Sequence, residues 1–235
     1  MSNTLTTIAF DADDTLWHNE RFFYLTQDRF VTLLADYMDG PDLKALLVAA
    51  ERRNILHYGF GVKGFVLSMI ETALEVTNHK VPGKVIAQLI DAGKEMLAYP
   101  IELLPFAAEA VDAAKSHGKV LIITKGDLLD QERKVAQSGL GDVFDGVEIV
   151  SDKVPDVYAR IFSQHGTGSA QGMMIGNSMK SDVVPMIDAG GWGVFVPHGI
   201  AWEIERADPP VHSPRYHTIP DLGALAALLG DLTKG

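Results

Sequence analysis

The sequence predicts an α/β protein, a doubly wound parallel sheet with an all-helical domain inserted into it. Three observations lead there. Short apolar runs alternate with helical periodicity from about residue 100 onward, the alternation that builds a parallel sheet with helices on both faces. Residues 17–99 keep helical spacing with no convincing strand. Polar groups that follow the apolar runs recur at about one strand–helix unit: 29 residues from Thr124 to Lys153, and 24 from Lys153 to Asn177.

Taken in order, residues 5–10 form the first strand, short and mostly apolar, of the kind buried in a parallel sheet. Phe22, Phe23, Leu25, Phe30, Leu33, Leu34 and Tyr37 then recur at helical spacing until Gly40-Pro41 stops them. Asp42 reads as the cap of a second helix carrying Leu43, Leu46, Leu47 and Ala50; a third helix fits 65–76 and a fourth 85–97. After a linker over 99–105, a helix spans 107–116, with Gly118 as its C-terminal cap. The second strand is 119–124, and Asp127 caps a helix that runs to Gln137 and ends at Gly139. Residues 146–150 form a third strand, followed by a helix from Pro155, where a missing N–H is tolerated, to Gln164. The fourth and fifth strands are 172–176 and 193–196, with a helix around 183–188 between them. Residues 207–220, rich in Pro and His, read as a surface loop, and 221–229 as a final helix.

From Asp11 to Thr124 is 113 residues, far too many for one crossover. The chain therefore divides into a Rossmann-like core, residues 1–16 and 100–235, and a helical insert, residues 17–99. An insert after the first strand sits over the carboxyl ends of the strands, where open α/β sheets bind ligands. It is placed to act as a lid.

Composition narrows the function. At 235 residues the chain can bury a sizeable core, and 47% hydrophobic with 22% charged residues is ordinary for a soluble globular protein. A formal charge of −11 argues against a nucleic-acid or anionic-membrane binder, while leaving room for a small anion in a locally positive pocket. With no cysteine, disulfides, thiolate zinc sites and cysteine nucleophiles are excluded. Residues 1–7 are polar and lack the basic and apolar regions of a secretion signal, and no apolar run reaches the ~18 residues of a membrane span. The expected location is the cytoplasm. Oligomeric state is not legible.

The stretch Phe10-Asp11-Ala12-Asp13-Asp14-Thr15 runs a buried strand directly into three carboxylates, which repel unless a cation or proton is shared. Strand alternation would aim Asp11 and Asp13 into one crevice, with Asp14 turned aside. By itself the stretch is equally an Asp-rich turn or a reactive pair. Three more polar groups follow later strands: Thr124-Lys125-Gly126, Lys153, and Gly176-Asn177-Ser178 with Asp182. Four such groups on one sheet edge suit a phosphoryl group. Asp11, Asp13, Asp182 and the Asn177 oxygen form the hard oxygen set that Mg²⁺ prefers. Thr124 and the backbone N–H groups of Lys125 and Gly126 offer donors to an anion, and Lys153 supplies a cation.

These four groups resemble, in order and spacing, the four motifs of the haloacid dehalogenase (HAD) superfamily, and the helical insert resembles the cap many members carry. The resemblance implies a phosphohydrolase acting on a small phosphorylated metabolite. Asp11 would attack phosphorus to form an aspartyl-phosphate, and Asp13 would protonate the leaving oxygen and then activate water. Mg²⁺ would be held by Asp11, the Asp13 carbonyl, Asn177 and Asp182, with Thr124 and Lys153 on the phosphoryl oxygens. Two positions depart from the pattern: Asn177 stands where the family usually has Asp, and the usual Lys-Pro pair is interrupted as Lys153-Val154-Pro155. An acid at Asp13 favours phosphoryl transfer over dehalogenation. A phosphomutase, a dehalogenase or a weakly active phosphate-binding regulator are the rival readings.

Other signals carry less. Gly59-Phe60-Gly61-Val62-Lys63-Gly64 matches a dinucleotide fingerprint but follows a helix rather than a strand, so it reads as a loop with Lys63 exposed. The Asp run lacks the later acid and glycine of an EF-hand. The eight histidines show no ligand spacing, and His198, His212 and His217 read as surface or loop residues. Trp17, Phe22, Phe23 and Phe30 read as packing, and Glu51-Arg52-Arg53 as a solvated helix face.

Overall fold

The computed structural model describes residues 4–199 and 202–234, so the polar start of the chain lies partly outside the described residues. Six strands form one sheet: β1 (Thr7–Phe10), β2 (Lys119–Lys125), β3 (Gly146–Val150), β4 (Gly172–Gly176), β5 (Trp192–Phe195) and β6 (Tyr216–Thr218). Their order is β3-β2-β1-β4-β5-β6, and every pairing is parallel. The order reverses at β1, which pairs with β2 on one side and β4 on the other. Phe10 is level with both Ile122 and Ile175. A crevice opens beyond the strand ends at such a switch point, and Asp11 begins there.

The chain divides into two compact units. The first comprises residues 1–18, 101–125 and 131–235. Strand alternation sorts its core into two layers. Ile8, Phe10, Val120, Ile122, Met173 and Ile175 pack with Ala110, Val111 and Ala114 of α5 (Ala107–Lys115) and Leu225 and Leu229 of α9 (Leu225–Lys234). Ala9, Leu121, Ile123 and Met174 face the other way, onto Tyr158, Ile161 and Phe162 of α7 (Pro155–His165) and Met186 of α8 (Val184–Asp188). Burying each large side chain contributes about 1.5–3 kcal/mol, so the sheet is held from both faces. The chain on either side of residues 19–100 is zipped together within this unit. His18 N–H donates to Glu102 O (3.0 Å), Leu104 N–H donates to Leu16 O (2.9 Å), and Trp17 forms an antiparallel bridge with Leu103.

The second unit comprises residues 19–100 with 126–130. It holds α1 (Glu20–Leu34), α2 (Gly40–Tyr58), α3 (Val62–Val76) and α4 (Gly83–Ala98), around Phe30, Leu34, Leu43, Leu47, Phe65, Met69 and Leu89. Between the units' segments in sequence, α6 spans Leu128–Gln137. Among the described residues, no helix is long and apolar enough to cross a membrane.

Several boundaries differ from the sequence reading. The second helix starts at Gly40, not after Asp42: Pro41 sits in the first turn, where its absent N–H costs nothing, and Asp39 O accepts from Leu43 N–H (3.0 Å). A π-turn, Met179–Val183, precedes α8 and re-aims Asp182. The segment 207–220 contains β6, three residues paired with β5 at the sheet edge. A strand that short, flanked by prolines, is below what periodicity can report.

Gly118 does not cap α5, which closes at Ser116. Instead it lets the chain pass the start of β1: a Cβ there would lie 2.6 Å from both Thr6 C and Thr6 O, rigid backbone that cannot yield. Gly118→Ala is expected to lower stability by about 1–3 kcal/mol, read as a drop in the urea midpoint. Gly83→Ala, where a Cβ meets nothing within 4 Å at a helix start, is the control and should not fall.

Candidate active site

Asp11 follows β1 directly and is fixed by its own N–H donating to Ile175 O (2.8 Å). Beyond it the chain turns tightly, with Thr15, Leu16 and Trp17 N–H groups all directed to Ala12 O. Because the strand stops at Phe10, Asp13 owes its position to this turn rather than to strand alternation. Thr15, at the end of the run, closes the turn over Asp11: its hydroxyl donates to Asp11 Oδ2 (3.2 Å) and accepts from Asn177 N–H (3.1 Å).

Lys153 is the hub. Its side chain is buried, with Nζ 2.5 Å from Asp11 Oδ1 and 2.6 Å from Asp182 Oδ1. The extra residue Val154 does not displace it, because Val154 adopts an extended conformation before α7 and leaves Pro155 in the helix's first turn. Asp182 is fully buried, and its other oxygen accepts from Ser178 N–H (2.9 Å). Gly176 makes that approach possible, since a Cβ there would stand 2.1 Å from Asp182 Oδ2. Both Asp182 oxygens are thus engaged, and the residue acts as a clamp on Lys153 and the Ser178 turn.

The charges do not balance within this trio: two buried carboxylates share one ammonium. Burial pushes the Asp11 carboxyl up to about 7; Lys153 opposes this, and Asp182 and Asp13 add to it. Burial alone would lower Lys153, but Asp11 and Asp182 outweigh it and hold the ammonium above the ordinary lysine value. A divalent cation beside Asp11 would supply the missing charge.

The donor set fits one. Turned with its oxygen toward Thr15, the Asn177 side chain faces only acceptors. Turned the other way, its NH₂ donates to Thr15 Oγ1 (3.2 Å), Asp13 O (3.3 Å) and Asp11 Oδ2 (3.3 Å). The amide end therefore points at a carboxylate oxygen and a carbonyl oxygen, all hard ligands at a spacing close to the edge of a Mg²⁺ octahedron, about 2.9 Å for 2.0–2.1 Å bonds. The NH₂ orientation satisfies the cation-free site; the reverse orientation presents three oxygens to a cation. Asp11, Asp13 through its carbonyl, and Asn177 could hold Mg²⁺, with Asp182 orienting from behind.

Asp13 has a surround that the sequence reading missed. Its carboxylate accepts from Trp17 Nε1 (2.7 Å), Lys134 Nζ (2.9 and 3.0 Å) and Gln131 Nε2 (3.2 Å). Gln131 Nε2 also reaches Thr124 Oγ1 (2.6 Å), tying Asp13 to the end of β2. Gln131 and Lys134 lie three residues apart on α6, with buried Val135 beside them. That shared face was available in the sequence as a helix stripe, but a buried Lys and Gln read as solvated residues without a partner to explain them.

Lys125 stands apart. Its ammonium donates to Ser181 Oγ (2.7 Å) and Glu205 Oε1 (2.8 Å), and Glu205 also accepts from Ser178 and Ser181. Burial would raise Glu205, but Lys125 and these hydrogen bonds hold it below the usual carboxylate value. What Lys125 offers an anion is its backbone N–H, not its charge. Gly126, at φ 136°, clusters with the helical unit. Lys63 also belongs to that unit, where its Nζ lies 3.2 Å from Asp127.

A family model described as haloacid dehalogenase-like hydrolase matches residues 5–190. No curated protein matches the chain. Among solved structures, a haloacid dehalogenase-like family hydrolase from Xanthomonas campestris is 37% identical, covering 98% of this chain and 93% of its own, with a TM-score of 0.87. A HAD-hydrolase from Bacillus subtilis bound to magnesium is 16% identical over 96% of this chain and 99% of its own, TM-score 0.67. The L-2-haloacid dehalogenase from Xanthobacter autotrophicus, with chloropropionic acid covalently bound, is 18% identical over 96% and 98%, TM-score 0.63. The last two likenesses are of fold.

The raised Asp11 carboxyl has a sign that can be checked. Without a divalent ion the native state keeps this proton up to about pH 7, whereas an unfolded aspartate loses it near 3.8. The native state binds more protons across that window, so stability falls as pH rises through it. The thermal midpoint of metal-free protein is expected to drop between pH 5 and 8, and the drop should be smaller in Asp11→Asn. Equal drops in the two proteins would remove Asp11 as the titrating group.

Proposed function

The chain belongs to the haloacid dehalogenase-like hydrolase family, and from that premise we propose that this hydrolase is a Mg²⁺-dependent phosphatase of a small phosphorylated metabolite. The observation that carries the reading is the Asp13 carboxylate, held by Trp17, Lys134 and Gln131 one residue beyond the nucleophile's neighbour. An alkoxide leaves a phosphate ester only with a proton, and an acid at this place supplies one; a halide leaves without help.

In this mechanism Asp11 attacks phosphorus in line and the P–O bond to the leaving group breaks. Asp13, entering the cycle in its protonated form, gives the departing oxygen its proton and becomes the carboxylate that Lys134 pairs with. Water, deprotonated by Asp13, then opens the aspartyl-phosphate and regenerates Asp11. Lys153 and the Thr124 hydroxyl bind phosphoryl oxygens, and Lys153 also keeps the Asp11 carboxylate facing phosphorus. Bound Mg²⁺ would neutralise phosphoryl charge as it spreads over the oxygens.

A second reading has one observation behind it. Asn177 places an amide where a carboxylate would bind the cation more strongly, which suits dehalogenation or phosphate binding with weak turnover.

Assay of phosphate release from a panel of phosphomonoesters, with and without Mg²⁺, alongside halide release from 2-haloacids, tests the choice. Phosphate is expected only with Mg²⁺; halide release alone would decide for the second reading. Asp11→Asn should lower turnover by about 10⁴-fold or more, and Asp13→Asn by about 10²–10⁴-fold. Lys134→Ala, which removes a group that aims Asp13, should cost about 10–100-fold in kcat with little change in KM. In Asn177→Asp the added charge should tighten Mg²⁺ by about tenfold or more, measured by calorimetric titration.

A further inference from the structure

Asp14 and two histidines form a second cluster of ligand atoms in the core unit. One donor atom each from Asp14, His18 and His198 lie within 4.8 Å of one another. Asp14 is buried and occupies the left-handed region at φ 59°, a conformation that non-glycine residues seldom adopt. Its N–H donates to Trp17 O (2.7 Å), which fixes the backbone of this turn. His198 reaches the same place from the loop after β5, with Nε2 3.7 Å from Asp14 Oδ1. The His18 ring lies edge-on to His198 at 6.0 Å between centroids, and its backbone is held by Glu102.

We propose that Asp14, His18 and His198 form a binding site for Zn²⁺, separate from the oxygen site at Asp11. Two imidazoles and one carboxylate are a common three-residue set for this ion and leave a coordination position for water. Tetrahedral ligands at 2.0–2.1 Å from zinc are about 3.3 Å apart, so modest side-chain rotation closes the present spacing. Ligand chemistry keeps the two sites distinct: imidazole selects zinc, while the all-oxygen set at Asp11 selects magnesium. A zinc ion here ties the turn that carries Asp13 to the loop after β5. Bound zinc thereby stiffens the stretch on which the phosphatase reading depends, although zinc binding does not require that reading to hold.

The test uses the full chain in excess Mg²⁺. Equilibrium dialysis against Zn²⁺ is expected to give one bound equivalent, with affinity lowered about tenfold or more in His18→Gln and in His198→Gln. Co²⁺ in place of zinc should give the intense visible bands of a four- or five-coordinate site with nitrogen ligands. The proposal is overturned if no stoichiometric Zn²⁺ binds, or if the double variant binds it as the parent does. Should the variants not fold, the parent's Co²⁺ spectrum decides, and a weak octahedral spectrum overturns the assignment. None of these readouts uses phosphate release, so a failed phosphatase assay and a failed zinc site remain distinguishable.

Discussion

The bridge from Lys153 to Asp11 and Asp182 is the interaction on which the rest of the site depends. It joins segments that follow three different strands, β1, β3 and β4, through one buried ammonium. Burying an ammonium or a carboxylate alone costs several kcal/mol, so each member is tolerable only with the others in place. That interdependence explains the small residues around it. Gly176 leaves space for Asp182, and the π-turn at Met179–Val183 brings it there. The trio remains one positive charge short, and the oxygens of Asp11, Asp13 and Asn177 converge where that charge would sit.

Around this centre the site divides its lysines by task. Lys153 pairs with Asp11, Lys134 pairs with Asp13, and Lys125 braces the Ser178–Ser181 turn through Glu205. Each lysine is paired with acids of its own, so three ammonium groups coexist in a small volume without mutual repulsion dominating. The same logic covers the acids. Asp11 and Asp182 share Lys153, whereas Asp13 is paired with Lys134 and Asp14 lies nearest His198.

Most of the fold was legible because the core strands are short, mostly apolar runs cut by Gly, Pro and Asp. Residues 146–150 and 172–176 match β3 and β4 residue for residue. β6 was not legible, since three edge residues carry no period. In the site, order along the chain pointed to Asp11, Thr124 and Lys153, at or just beyond strand ends, and to Asp182, which sits in the π-turn after β4. Gln131 and Lys134 were hidden because their reason for burial, the Asp13 carboxylate, lies more than a hundred residues away. His18 and His198 were hidden likewise: spacing along a chain reveals ligands on one element, not ligands on two loops that meet. Lys125 illustrates the converse, a residue in the right motif whose side chain is drawn elsewhere by Glu205.

The zipped segment at 16–18 and 102–104 has an architectural consequence. To the sheet domain, residues 19–100 are a single hairpin loop whose two ends are already stitched together by Leu16, His18, Glu102 and Leu104. The entropy of closing a loop grows only with the logarithm of its length, about 0.6 kcal/mol per doubling. Replacing four helices by a short turn, or by a longer insert, therefore changes the thermodynamics of the sheet domain little. The stitch makes the helical segment an exchangeable cassette, whose sequence and length can change while the strand ends of the sheet keep theirs.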